Sequence, residues 1–511
     1  MRKTALLIPG LLAMIACDTQ GEIEVSDTGA PDYLDVGEDA TLLWDNPDYR
    51  PEIDRFAPNG VPIALPLGTS NAYDLTFSTW KGEGDGDRLG IHLTTTDVNA
   101  DGKGDLIAGS QYADGASGGD GAAYMNKANF SSGNQNVGGA KGRYYGPTAS
   151  NAGETVGSGG DIDGDGIDDL ILGGRNFTNP DETWKVNSGV AYLVQNFARG
   201  AVTLETDTIE IRGAKAYDFA GAGVAIVGDL NGDSYADIAI GATGADDGGS
   251  GSGAVYIFNG PVTANTDVTA ADATIAGEAA DDGAGARILG VGDYDGDGFD
   301  DFAVGVRGND NNGSNSGAVY VVTNSTLPLS FDAADYVFYG NTADAAAGNQ
   351  LAAAGDMDGD GYSDFIAGAL GHAGSGAAFL VTGNTAGAGV KIGGVAKEKF
   401  LGELSGDQFG ASLAVGDING DDVADVLVGS NRFAASDRGA VYGFYGPFDY
   451  DGTTTGAVLA DTKVLGVGSG DRFGSALSYV ENVDNAGRNM VAVGASSRGG
   501  NKGAVYLFKV D

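Results

Sequence analysis

The chain is short of several residue types. Its 511 residues include one cysteine, two histidines, three tryptophans and five methionines. A single cysteine rules out any intrachain disulfide, so the fold must be held by other means. Lys and Arg number only 28 against 71 Asp and Glu, for a formal net charge of -43. With no basic stripe to neutralise phosphates, a nucleic-acid partner is excluded. After the N-terminal run no segment is long and apolar enough to span a membrane. The histidines, His92 and His372, stand far apart, and neither belongs to a recognisable nucleophile motif. There is no G-x-x-x-x-G-K-[ST] loop, and in a chain with 89 glycines a loose G-x-G-x-x-G match carries little information. Hydrophobic content of 42% is enough for a packed core, so wholesale disorder is not expected.

The N-terminus reads Met1-Arg-Lys-Thr-Ala-Leu-Leu-Ile-Pro-Gly-Leu-Leu-Ala-Met-Ile-Ala-Cys17. Two cations, a short apolar run and a small residue before the sole cysteine read as a signal peptide. Met14-Ile-Ala-Cys17 resembles the lipobox of bacterial lipoproteins. The resemblance implies removal of residues 1–16 and lipidation of Cys17. Residues 17–70, rich in Asp, Glu, Pro and Gly, read as an acidic flexible tether. On this reading the protein is expected to be lipid-anchored in the cell envelope, on the outer membrane or cell surface, and to be a monomer.

Residues 71–511 repeat. Six aspartate-rich loops begin at Asp97, Asp161, Asp229, Asp293, Asp356 and Asp417, spaced 64, 68, 64, 63 and 61 residues apart. A degenerate seventh, Glu481-Asn-Val-Asp-Asn-Ala-Gly-Arg-Asn489, follows after another 64. Before each loop stands a segment such as Phe409-Gly-Ala-Ser-Leu-Ala-Val-Gly416. After it come a β-type run such as Asp301-Phe-Ala-Val-Gly305, a strand such as Gly253-Ala-Val-Tyr-Ile-Phe258, and a fourth run such as Tyr336-Val-Phe-Tyr339. Seven units of four short strands predict an all-β fold, a seven-bladed β-propeller of four-stranded blades. The seventh unit lacks a fourth strand, and Tyr73-Asp-Leu-Thr-Phe77 has that pattern without the other three. An N-terminal strand completing the last blade would close the ring.

Each loop places side-chain oxygens at positions one, three, five and nine. They are Asp97, Asn99, Asp101 and Asp105; Asp161, Asp163, Asp165 and Asp169; Asp229, Asn231, Asp233 and Asp237. The set continues with Asp293, Asp295, Asp297 and Asp301; Asp356, Asp358, Asp360 and Asp364; Asp417, Asn419, Asp421 and Asp425. Hard oxygens without nitrogen or sulfur suit Ca²⁺, up to six ions, with a backbone carbonyl near position seven completing each shell. An EF-hand would need a bidentate Glu at position twelve, where Leu172 and Val304 stand instead. Position six is Gly in four loops but Ser234 and Asp422 in the third and sixth, which predicts weaker binding there. The seventh loop, with Val483 at position three and Asn489 at position nine, is expected to hold no metal.

The Phe-Gly opening and the Gly-Ala-aromatic strand resemble the FG-GAP repeat of the integrin α-subunit propeller. The second and fifth units depart from Phe-Gly, and nothing resembles the inserted domain, leg domains or membrane helix of an integrin. The resemblance implies the propeller fold, calcium in the loops, apolar position-seven side chains facing the core, and partner binding on the opposite face. That face is formed by connections from strand two to three and from blade to blade. Candidate ligand contacts there are Arg175, Trp184, Arg307, Arg432 and Arg498, with Lys185, Lys215, Arg287, Lys397, Arg472, Tyr112 and Phe433 nearby. The expected function is a calcium-binding, non-enzymatic adhesion or ligand-binding module for a surface protein or glycan. Two alternatives stand beside it: a polysaccharide-active hydrolase with its site in the central channel, and a purely structural envelope protein.

Overall fold

The computed structural model describes residues 15–17, 23–25, 68–71 and 77–510, apart from short stretches at 114–118, 129, 131, 183, 196, 198–199, 324–326, 328, 386–387, 434–435 and 485–486. The chain divides into two compact units, Met1–Val61 and Pro62–Asp511. In the first, Ile15–Cys17 pairs antiparallel with Ile23–Val25. The rest of the signal-peptide stretch and most of the tether lie outside the described residues.

The second unit is a seven-bladed propeller. Blade one comprises Leu89–Thr96, Asp105–Ser110, Ala122–Asn126 and Gly142–Tyr145, antiparallel in that order. Five more blades repeat the pattern, with first strands Thr155–Ser158, Ala220–Gly228, Arg287–Gly292, Ala347–Gly355 and Phe409–Gly416. Each first strand contacts the next around the ring, and that of blade seven contacts that of blade one. These seven strands line the central channel.

Second and third strands are buried on both faces, as their near-continuous apolar runs require. Asp301–Val306 and Ala318–Val322 are examples. The glycine within each second strand has a specific cause. A Cβ on Gly109, Gly173, Gly241, Gly305, Gly368, Gly429 or Gly494 would lie 1.9–2.5 Å from the carbonyl oxygen of Gly153, Gly221, Gly285, Gly348, Gly410, Gly474 or Gly90 respectively. At each blade boundary two backbones touch where a side chain would stand. The contact occurs seven times and closes the ring.

The last blade comprises Phe473–Val480, Asn489–Ala495 and Ala504–Val510, completed by Ser78–Lys81. An N-terminal strand closes the ring as expected: Ser78-Thr-Trp-Lys81 pairs with the third strand, and the Phe77 amide donates to the Leu507 carbonyl at 2.8 Å. Trp80, which pairs with Val505, anchors it at 2% exposure. Residues 72–76 lie outside the described residues.

The structure adds a fifth strand that the repeat pattern did not show. The connection from strand three to four of each blade pairs in parallel with the outer edge of the preceding blade. Gly200–Thr203 joins blade one, Thr266–Asp267 blade two, Ala388–Lys391 blade four and Thr453–Gly456 blade five. Gly133–Asn136 joins blade seven, and a single bridge from Ala276 to Ser330 serves blade three. Gly68–Asn71, from the end of the stretch read as tether, joins blade six. Each handover covers an edge whose unpaired amides and carbonyls would otherwise invite association. The N-terminal segment thus spans the junction between blades six and seven.

Candidate metal centres and the opposite face

All six loops connect strand one to strand two and share one end of the propeller. Their local folding is dictated by the first aspartate, whose two oxygens collect backbone amides. Asp161 Oδ1 accepts from Gly164 and Asp165 at 2.7 and 3.1 Å, and Oδ2 from Gly166 at 2.7 Å. Asp417 repeats this with Gly420, Asp421 and Asp422. Asp at position five accepts from the position-seven amide in every loop, at 2.9–3.1 Å. Gly166 has φ of +82°, and Ser234 and Asp422 take the same left-handed region at +72° and +65°. The turn is therefore retained without glycine, at a cost of about 1–2 kcal/mol each.

The ninth-position aspartates, Asp105, Asp169, Asp237, Asp301, Asp364 and Asp425, are completely buried. In five loops one oxygen accepts from the position-two amide, as Asp237 Oδ2 does from Leu230 at 2.9 Å. In four loops the other reaches the connection after strand three, as Asp237 Oδ1 reaches Gly260 at 2.8 Å and Asp425 Oδ1 reaches Gly446 at 2.8 Å. Position nine thus ties the two connections at this end of the blade together. Burial pushes Asp105, Asp237, Asp364 and Asp425 up to about 6 and Asp169 to about 7. A carboxylate held this deep favours a nearby positive charge.

Three loops bring three carboxylates together with ligand oxygens within 4.8 Å of one another: Asp161, Asp163 and Asp169; Asp293, Asp295 and Asp297; Asp356, Asp358 and Asp360. The other three carry Asn99, Asn231 or Asn419 at position three, where the amide oxygen replaces a carboxylate. The donor set is all oxygen and fits a hard divalent cation.

Position seven corrects an expectation. Its side chain does not enter the core of its own blade; Phe299 is 40% exposed. The ring instead covers the position-four glycine of the preceding loop. Cβ atoms on Gly164, Gly232 and Gly296 would lie 2.6, 2.5 and 2.3 Å from the rings of Tyr235, Phe299 and Tyr362. The core anchor is position two, with Val98, Ile162, Leu230, Tyr294 and Ile418 buried. That position is apolar in all six loops, a signal legible in the sequence but not used.

The loops are also linked from blade to blade. The carbonyls of Asp161, Asp229, Asp293 and Glu481 accept from position-eight amides of the next loop, Ala236, Asp300, Ser363 and Gly104, at 2.8–3.3 Å. Asp300, outside the ligand pattern, accepts from the Asp229 amide at 2.9 Å. The seventh loop keeps the fold without the carboxylate set. Asn489 Oδ1 takes the Asn482 amide at 2.8 Å, and the Arg488 guanidinium binds Asp484 from within, Nε to Oδ2 at 2.7 Å.

Arg175, Trp184, Arg307, Arg432 and Arg498 all lie in connections from strand two to three, at the end opposite the loops. They do not form one cluster. Trp184 is 68% exposed, with the Lys185 ammonium 5.2 Å from its ring centroid. Arg498 lies 4.8 Å over Tyr506 in its own blade. Arg175 and Arg307 flank the channel, and Arg175 pairs with Glu154 at 2.9 Å. Two neighbours are misplaced by sequence reasoning. Phe433 is buried under Lys463, because the loop folds inward over Tyr442. Lys397 precedes a fourth strand and so lies at the metal-loop end. His92 lies in the channel wall, lowered to about 4 by burial and then by Arg287, and His372 packs edge-on against Phe379.

A model of the FG-GAP repeat matches residues 220–258, 285–322 and 409–444. These are the first three strands, with the loop, of blades three, four and six. Integrin alpha-PS2 of Drosophila melanogaster is 28% identical over 312 residues, 57% of this chain and 21% of that protein. Integrin alpha-PS5 of the same species is 38% identical over 114 residues, 21% of this chain and 10% of the relative. Integrin alpha-V of Gallus gallus is 30% identical over 158 residues, 30% of this chain and 14% of the relative. The chain spans about a fifth or less of the length of these relatives. It carries FG-GAP repeats on a seven-bladed propeller and is similar to integrin α subunits.

Proposed function

We propose that this chain is a calcium-loaded, non-enzymatic binding module that is lipid-anchored through Cys17 to the cell envelope and engages a protein ligand. The observation that carries this reading is the division of the propeller into two dissimilar ends. One end holds the acidic loops, mutually braced and tied into the blades; the other presents Arg175, Trp184 and Arg307 on exposed connections. Up to six Ca²⁺ would be held by the oxygens at positions one, three, five and nine. Their contribution is to offset the buried carboxylates and rigidify the rim, a structural role. Similarity to integrin α subunits favours a protein ligand at the cell surface. Among the described residues no helix is long and apolar enough to cross a membrane, which accords with anchoring by lipid. A channel hydrolase would use two carboxylates with separated roles. At the end opposite the loops, the channel-wall carboxylate Glu154 is engaged by Arg175. The test is a surface-protein and glycan binding screen with the purified protein, with and without Ca²⁺. The reading expects a protein partner whose binding weakens in Trp184→Ala or Arg175→Ala. Retention of glycans alone would refute the protein ligand, and absence of any partner would refute the module.

A further inference from the structure

We propose that the channel mouth opposite the metal loops is a carboxylate-binding site, with Arg287 and Arg307 as its guanidinium donors and the Arg175–Glu154 pair as its border. This deepens the binding-face reading above and rests on it, adding the chemistry of the ligand group.

The argument begins with position in the repeat. The second residue after the interblade-contact glycine of each second strand stands at the mouth; it is Arg175 after Gly173 in blade two, Arg307 after Gly305 in blade four, and neutral in the other five. The third and fourth residues of the segment opening each first strand, aligned on Phe409-Gly410-Ala411-Ser412, form the wall just inside. Their charged members at neutral pH are Glu154 and Arg287. In a chain of net charge -43, these positions carry three guanidiniums against one carboxylate. The neighbouring His92 is neutral at pH 7 and adds nothing.

Arg287 is held ready for a ligand. Its Nε donates to the Asn349 carbonyl at 3.1 Å and to Gln350 Oε1 at 3.2 Å, and its Nη1 donates to the Ala286 carbonyl at 2.9 Å. All three acceptors are neutral, so the guanidinium is oriented but its charge is not offset. Among the described residues neither Arg287 nor Arg307 forms an ion pair, while Glu154 is engaged by Arg175. Burial, Arg307 and Arg175 all disfavour the charged form of Arg287, and Glu154 favours it, so the four groups share one electrostatic neighbourhood. A guanidinium oriented in a partly desolvated wall and lacking a counter-ion is a fork for an oxyanion. The Arg175–Glu154 pair shows the same mouth accommodating a carboxylate on a guanidinium. Repulsion by the acidic body is screened beyond about 8 Å at physiological ionic strength.

The test is fluorescence anisotropy of a labelled hexaglutamate peptide on the calcium-saturated protein, with succinate and inorganic phosphate as separate competitors. Saturable peptide binding is expected, weakened at least about tenfold in both Arg307→Gln and Arg287→Gln. It should be unchanged in Lys391→Gln, which alters an exposed cation on the outer edge of blade four. Arg307 is exposed and without a structural partner among the described residues, so its variant reads the site even if Arg287→Gln misfolds. Competition by succinate assigns the site to a free carboxylate; binding of hexaglutamate without such competition assigns it to an acidic side chain of a partner protein. No saturable carboxylate binding, an affinity unchanged in Arg307→Gln, or competition by phosphate alone would overturn the proposal. A protein partner found in the screen that binds through Trp184 yet is indifferent to Arg307→Gln would overturn it too, leaving the binding-face reading intact.

Discussion

Gly296 and Gly298 occupy positions four and six of one loop, and their alanine variants separate two kinds of constraint. Both have positive φ, +82° and +94°, so Ala at either costs about 1–2 kcal/mol for the left-handed backbone. Nothing lies within 4 Å of a Cβ on Gly298. A Cβ on Gly296 would sit 2.3 Å from Tyr362 Cε1 and 3.0 Å from Cδ1, in the next blade's loop. The ring must move, adding about 1–3 kcal/mol of overpacking. For a cooperative unit of this size, 1 kcal/mol corresponds to about 1 °C in Tm. Gly298→Ala should therefore lower Tm by about 1–2 °C and Gly296→Ala by about 2–5 °C. Calorimetry at one fixed Ca²⁺ concentration measures both, since a bound ion moves Tm by mass action. In a Tyr362→Ala background the excess for Gly296→Ala should vanish. Equal effects of the two substitutions in the parent protein would refute the cross-blade contact as a source of stability.

Three further outcomes are expected. Excess EGTA should lower Tm markedly, and calcium analysis of the loaded protein should approach six ions; an unchanged transition in chelator would remove calcium from the account. Arg488→Gln should lower Tm by a similar amount with and without Ca²⁺, because the seventh loop carries its own cation; a loss seen only with Ca²⁺ would contradict this. His92 is neutral in the folded chain, held at about 4 against an ordinary 6.5, chiefly by burial and then by Arg287. Its contribution is complete above pH 6.5 and is lost as pH falls from 6.5 towards 4, by roughly 3 kcal/mol. Urea unfolding of the parent protein and His92→Gln across that range should diverge by about that amount, and parallel curves would refute it.

Much of the fold was legible because each blade repeats one local problem. A second strand buried on both faces must be apolar, a Gly-Gly contact between blades admits no side chain, and a turn with three or four convergent oxygens must be Asp- and Gly-rich. Those requirements act within some sixty residues and recur, so they are visible as spacing. The closing strand was legible as a missing piece, but its registration was not. Trp80 decides it by packing into a cluster that joins nearby residues such as Leu89 and Phe130 to residues more than four hundred positions away, such as Met490 and Val505.

The part that was not legible depends on contacts between repeats. Asp300 falls outside the ligand pattern of its own loop, and its role is set by the preceding loop's amide, Asp229 N–H, which donates to it. Position-seven rings looked like core residues, yet their partners are glycines one blade back. The fifth strands borrow residues with little β-character, such as Gly133-Asn-Gln-Asn136, because an open edge supplies the pairing that their sequence does not. Arg175, Arg287 and Arg307 are scattered over more than 130 positions, and only the ring brings them to one opening. By itself, then, the sequence determined the repeated unit, its number and its oxygen-rich loops, since those follow from short-range sterics and burial. The tertiary structure alone decided which charges meet across the channel, because electrostatic neighbourhood depends on distance in space and not on separation along the chain.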